Sequence, residues 1–171
     1  MKVSPTTRAI RSALAVSATV LALAGSGAAF AGTCSVTGLN EVTCTGPFTD
    51  SVDATVPVIN LVPDLTLVID SGAVVTTDPG ETGVSSTWGG DAVVINYGEI
   101  DTVNGDGIYM YSDETATVDN QGSIYTYVGA ANVQALDVTA YYDATVSNSG
   151  DITAYAAPLS SYDATAVQVL S

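Results

Sequence analysis

No histidine occurs in the chain, and its only three basic side chains, Lys2, Arg8 and Arg11, are gathered at the very start. Catalytic sites of the Ser/His/Asp and Cys/His kinds are therefore excluded. Zinc held by imidazole is excluded too, and two cysteines alone cannot complete a ligand set. Beyond Arg11 there is no amine for a Schiff base and no guanidinium to clamp a phosphoryl group, which disfavours those chemistries. Nucleic acid and anionic lipid, both bound through lysine and arginine, are repelled. What remains is carboxylate: 18 Asp and Glu, and a formal charge of −15. A carboxylate pair is the minimum for cleaving a glycosidic bond, so a β-helical carbohydrate-active protein, polysaccharide-binding or glycoside-cleaving, stays as an alternative. A surface with no cation to hold an acidic sugar argues against catalysis, and no catalytic residue is assigned.

The basic residues have a place of their own. They precede an Ala/Leu/Val-rich stretch from Ala13 to Leu23, after which small residues end in Ala29-Phe30-Ala31. That order is a secretory signal peptide with an A-x-A site, so residues 1–31 are expected to be removed between Ala31 and Gly32. No later run approaches the ~20 unbroken apolar residues of a membrane span. Export takes the three positive charges away, and −15 becomes −18, with only the new amino terminus positive. Such a surface favours solubility and costs stability through self-repulsion. Mutual repulsion is expected to raise carboxylate pKa values, so that stability increases with added salt and as pH falls. Disorder is not expected, because hydrophobic residues make up 47% of the chain and acidic disordered tails lack them.

Two cysteines in an exported chain imply a disulfide. In Cys34-Ser35-Val36-Thr37-Gly38-Leu39-Asn40-Glu41-Val42-Thr43-Cys44, a three-residue loop at 38–40 makes Thr37 face Glu41, Val36 face Val42 and Cys34 face Cys44. Residues 32–48 thus form a disulfide-closed hairpin that caps the first edge of the remaining domain.

That remainder is a repeat. Asp91-Ala-Val-Val-Ile-Asn96-Tyr-Gly98-Glu-Ile100 aligns with Thr115-Ala-Thr-Val-Asp-Asn120-Gln-Gly122-Ser-Ile124 and with Asp143-Ala-Thr-Val-Ser-Asn148-Ser-Gly150-Asp-Ile152. A looser copy runs from Leu65 through Asp70 and Gly72 to Val74, and a fifth begins at Asp163-Ala-Thr-Ala-Val167. The glycines at 72, 98, 122 and 150 are 26, 24 and 28 residues apart. Each unit reads as strand, Asn-x-Gly turn, strand, loop, strand, with Ala, Val and Ile on one face by the period of two. Asn and Gly suit the bend because both tolerate positive φ. One unit buries little; stacked units bury a continuous core, and a period in the twenties suits one coil of a β-helix. The fold class is therefore all-β, a parallel β-helix of four to five rungs over residues 49–171. Stacking places Asn96, Asn120 and Asn148 in an amide ladder, with Gly98, Gly122 and Gly150 beside them. An antiparallel sandwich has no need of the same turn in every unit.

Two further features invite function. Asn104-Gly105-Asp106-Gly107 is half of a glycine/aspartate calcium turn, and with Asp101 and Asp113 it offers hard oxygen ligands. The signature occurs once, whereas calcium-binding rolls repeat it, so no metal site is assigned and these three aspartates stand as calcium candidates only. All nine tyrosines lie after residue 96; the pairs Tyr109/Tyr111 and Tyr125/Tyr127 share a strand face, an aromatic surface for sugar or protein if outward. Trp88 is placed in a loop.

The signal peptide, the Cys-Ser-Val-Thr…Val-Thr-Cys-Thr-Gly hairpin and the Val-x-Asn-x-Gly-x-Ile rungs together resemble the N-terminal part of an autotransporter (type V secretion) passenger. The resemblance implies a right-handed β-helix on the surface of a Gram-negative bacterium, or released from it, acting as an adhesin toward a host or matrix glycan or protein receptor. It also implies a downstream β-barrel translocator, for which the chain has no segment. The sequence stops at Val167-Gln168-Val169-Leu170-Ser171, in mid-rung by this reading, so it is expected to be a fragment whose last rung offers an edge for self-association.

Overall fold

The computed structural model describes residues 32–38, 40–53, 64–157 and 161–171. The signal-peptide segment 1–31 lies outside the described residues. Among them there is no helix, and sixteen strands succeed one another along the chain. The first, β1 (Thr33–Val36), stands alone. The rest fall into five layers of three. The first layer is β2 (Glu41–Thr45), β3 (Pro47–Phe48) and β4 (Val52–Asp53); the second is β5 (Leu65–Ile69), β6 (Val74–Thr76) and β7 (Val84–Trp88). The third is β8 (Ala92–Asn96), β9 (Glu99–Val103) and β10 (Ile108–Ser112). The fourth is β11 (Thr115–Asn120), β12 (Ser123–Val128) and β13 (Val133–Ala140), and the fifth β14 (Asp143–Asn148), β15 (Asp151–Ala156) and β16 (Ala164–Leu170).

Each strand from β2 onward pairs in parallel with the strand three places on, giving three sheets: β1-β2-β5-β8-β11-β14, β3-β6-β9-β12-β15 and β4-β7-β10-β13-β16. The chain is a β-solenoid of about four turns. A parallel pairing needs a crossover connection, and here two further strands of the same coil provide it.

Alternation decides what is inside. Along the first sheet the inward columns are Leu65/Ala92/Ala116/Ala144 and Val42/Leu67/Val94/Val118/Val146. The second sheet adds Val75/Ile100/Ile124/Ile152 and the third Val84/Ile108/Leu136/Val167. From the second to the fourth layer these side chains are fully buried, the Val, Leu and Ile among them each contributing roughly 1.5–3 kcal/mol. In the fifth layer the columns are open on one side: Val167 and Val169 are 41% and 42% exposed, although their register partners Leu136 and Val138 are buried.

The corner before the third sheet breaks the alternation. Gly83-Val84, Gly107-Ile108 and Ala135-Leu136 are each two consecutive buried residues. A Cβ on Gly107 would overlap the carbonyl oxygen of Ala135 and the Ile124 side chain, so position 107 needs a glycine for space, whereas the next layer carries Ala135 there.

At the opposite end, β1 pairs antiparallel with β2, with Val36 on Val42 and Cys34 on Cys44. The disulfide Cys34–Cys44 joins them with Cα atoms 4.0 Å apart. The hairpin is more than a lid, because β2 is itself the first parallel strand of the stack, Cys44 registering on Ile69. Reducing the disulfide should lower the urea midpoint of the full-length chain by an amount equivalent to about 2–3 kcal/mol, as expected for so short a closed loop. An unchanged midpoint in reductant would show that closing this loop adds nothing to stability.

Three expectations need correcting. Asp163-Ala-Thr-Ala-Val167 does not start a new unit: β16 pairs with β13, Val133 on Ala164, and is the third strand of the fifth layer. The short string Asp-Ala-Thr recurs, but only β15 and a loop separate it from Gly150, too little chain for a full coil. The loose copy is out by one residue: Ile69, not Asp70, registers on Asn96, because the period of two carries Leu65, Leu67 and Ile69 inward together. Trp88 ends β7, opposite Ser112, and is buried rather than in a loop.

Candidate functional site: the asparagine turns and the outer faces

The repeated Asn-x-Gly turn stacks through three layers. Asn96, Asn120 and Asn148 share one column of the first sheet. The Asn96 side-chain amide donates to the Asn120 Oδ1 at 2.8 Å, and that of Asn120 to the Asn148 Oδ1 at 2.7 Å. Asn148 donates instead to the carbonyl of its own Gly150 at 3.0 Å. The backbone takes the same path: the N–H groups of Gln121 and Gly122 both donate to the Asn96 carbonyl, and those of Ser149 and Gly150 to the Asn120 carbonyl. Asn96 and Asn120 are wholly buried, so the amide groups removed from water have found partners in the ladder or the turn.

The glycines of the turn are needed for proximity and not for backbone sign. The described glycines with positive φ are Gly46 and Gly80. A Cβ on Gly122 would overlap the carbonyl oxygen of Gly98, one on Gly150 that of Gly122, and one on Gly98 would lie 2.5 Å from that of Ala73. Layers close-pack here through main chain alone.

A second polar column lies inside the next corner. Thr102 donates to Thr126 at 2.8 Å, and Thr126 to the Gly105 carbonyl at 2.7 Å. Asn104, at φ 58°, uses its Oδ1 to accept the N–H groups of Gly129 and Ala130 at 2.7 Å each. The Asn-Gly-Asp-Gly segment is thus a corner that holds the neighbouring layer's loop.

The three calcium candidates are not assembled. Asp101 faces outward on β9, Asp106 sits in the loop before β10 with its Oδ1 accepting the Gln134 N–H at 2.8 Å, and Asp113 lies beyond β10. The Tyr111 hydroxyl bonds to Asp113, which holds the phenol above its ordinary pKa. Among the described residues no group of three or more His, Cys, Asp or Glu side chains is placed to hold a metal ion.

Asp106 does have a partner the sequence did not point to. Asp137, on β13, is pushed up from 3.8 by burial and then by the charge of Asp106; Asp106 is itself raised by burial, against the lowering effect of the Gln134 N–H. One carboxylate oxygen of Asp137 is buried without a hydrogen-bond partner among the described residues. With its folded pKa above the unfolded value, Asp137 binds its proton more readily when folded. It therefore costs stability at neutral pH, and the cost is relieved as pH falls through the folded pKa toward 3.8. Asp137→Asn should raise the melting temperature at pH 7 and flatten its rise between pH 7 and pH 4. A less stable variant at pH 7 would mean that the carboxylate has a favourable partner.

The tyrosines do not form one stripe. Tyr109 and Tyr111 face out from the third sheet, Tyr125, Tyr127 and Tyr155 from the second, and Tyr141 and Tyr142 meet edge to face at a corner, 4.9 Å between centroids. On the second sheet Tyr127 and Tyr155 register on each other and stack, 5.9 Å apart at 27°. Comparison of the chain with protein-family models, with curated proteins and with solved structures gives no match.

Proposed function

We propose that this chain is a non-catalytic, exported surface module, a passenger-like solenoid of the autotransporter kind that displays its outer faces for adhesion. The observation that carries the reading is the division of labour among its polar groups. Four of the buried ones, Asn96, Asn120, Thr102 and Thr126, bond to the adjoining coil or corner and hold the stack together. The exposed ones include tyrosine, threonine and carboxylate spread over the three sheets. A rigid core with a varied grid of outward side chains suits contact over an area. Among the described residues β14, β15 and β16 are paired on one side only, which supports association with further β-strands, from another copy or from polypeptide of the same pattern.

The test is to produce the full chain in a Gram-negative host, fractionate the cells and sequence the amino terminus of the product. Protein that begins at Gly32 and is recovered from the periplasm, the cell surface or the medium supports export. An unprocessed product confined to the cytoplasm refutes export, and surface display with it. The calcium-stabilised alternative predicts a melting temperature that falls in chelator. A metal-free surface module predicts no shift beyond that produced by an equal ionic strength of sodium chloride.

A further inference from the structure

We propose that the outer face of the second sheet, around Tyr125, Tyr127 and Tyr155, is a docking surface for an arginine-rich polypeptide segment. This deepens the surface-module reading by naming the partner's chemistry, and it rests on that reading only for its setting.

Outward residues of β9, β12 and β15 fall in columns, and two of these carry acid: Glu99/Ser123/Asp151, with two carboxylates, and Asp101/Tyr125/Thr153, with one. The third column is Val103/Tyr127/Tyr155, with the two rings stacked. Tyr125 is 39% and Tyr155 46% exposed, so ring surface is open to solvent. Successive outward residues on a strand lie roughly 7 Å apart and neighbouring strands about 4.8 Å. Asp101, Glu99 and Asp151 therefore stand within one or two side-chain widths of the rings.

A guanidinium group fits both halves of this surface. It stacks on an aromatic face, where the ring quadrupole attracts it, and its planar fork donates to a carboxylate. Beyond Arg11 the chain supplies no such group itself, since residues 12–171 contain neither Lys nor Arg. The charge of the face is therefore uncompensated from within, and the complement must come from a partner. A neutral sugar could stack on the rings and donate its hydroxyls to the carboxylates but brings no charge to offset theirs, and an anionic one would be repelled. The outer face of the first sheet lacks the combination: its corresponding column is Thr66/Val93/Thr117/Thr145.

The experiment is a calorimetric titration of the purified full-length chain with nona-arginine, nona-lysine and a neutral oligosaccharide at physiological salt. Nona-arginine should bind about tenfold more tightly than nona-lysine. Tyr127→Leu and Tyr155→Leu should each weaken nona-arginine binding by about fivefold, and Asp101→Asn should weaken it as well. Tyr141→Leu, at a corner remote from this face, should leave it unchanged, and circular dichroism confirms that each variant keeps its β-structure. Equal affinity for the two peptides, indifferent to Tyr127→Leu, would reduce the effect to general attraction by an acidic protein and overturn the proposal. Binding of the oligosaccharide alone would overturn it in favour of a glycan surface. Because the readout uses isolated protein, its failure leaves the export test untouched.

Discussion

Asn120→Ala should destabilise the protein by about 3 kcal/mol, while the same change at Asn148 should cost about 1 kcal/mol or less. Both residues belong to one motif and one column, and they differ in what surrounds them. Asn120 is wholly buried, accepts from Asn96 at 2.8 Å and donates to Asn148 at 2.7 Å. Its loss leaves a buried amide donor on Asn96 facing a small cavity, and a buried group without its partner costs its full desolvation. Asn148 is exposed, so water replaces what is removed. Urea denaturation of the two variants beside the parent, monitored by far-ultraviolet circular dichroism, gives the comparison. Equal midpoints for the two variants would mean that the ladder is a by-product of stacking and does not stabilise it.

Gly122→Ala should be at least as damaging, with a loss of about 3 kcal/mol or more, although it adds a single methyl group. That methyl would overlap the Gly98 carbonyl oxygen and sit 2.7 Å from the carbonyl carbon of Tyr97. Both obstacles are backbone and neither can rotate away. Relief requires parting the third and fourth layers, which stretches the bonds from Gly122 N–H to the Asn96 carbonyl and from Ser123 N–H to the Gly98 carbonyl, both 2.9 Å. Overpacking of this kind exceeds the usual range of about 1–3 kcal/mol when the neighbour cannot yield. Gly72→Ala is the control, because a Cβ there meets nothing within 4 Å and its φ is not positive. That variant should stay within about 0.5 kcal/mol of the parent or be slightly more stable, since alanine restricts the unfolded chain. If Gly122→Ala folds with parental stability, the close approach of the layers is not what the glycine serves.

The contrast between those two glycines shows how far the sequence can be read. Alternation and the recurring Asn-x-Gly string carry the all-β class, the parallel stack, the column of asparagines and the hairpin register at Cys34 and Cys44. They carry less where the pattern is imperfect. Gly72 looks like Gly98 in the string, yet Ala73 is the residue whose carbonyl lies against Gly98. A period of two tells which face a residue takes but not which layer it joins, so it leaves room for a one-residue slip at Asp70 and for a misplaced copy at Asp163. The number of residues needed for a coil excludes the second. The part played by the turn glycines is hidden for another reason, because crowding between layers leaves no trace in a single unit. Asp137 is hidden in a related way: its neighbour Asp106 is distant in sequence, and only the stacking of β13 on β10 brings them into electrostatic reach.

The stacking register also makes length a modular quantity. The intervals from Asn96 to Asn120 and from Asn120 to Asn148 differ, 24 and 28 residues, and the surplus is taken up in loops while the turns remain superimposed. A whole coil measured from one asparagine to the next is therefore an interchangeable part. Excising residues 120–147 would bring Asn148 onto Asn96 with Gly150 over Gly98, the same contacts the removed coil had made. Duplicating that stretch would lengthen the axis by about 4.8 Å without altering either end. Recombination within such a gene can thus change reach in discrete steps while conserving every local interface, whereas an insertion of one residue inside a strand turns the core residues beyond it outward.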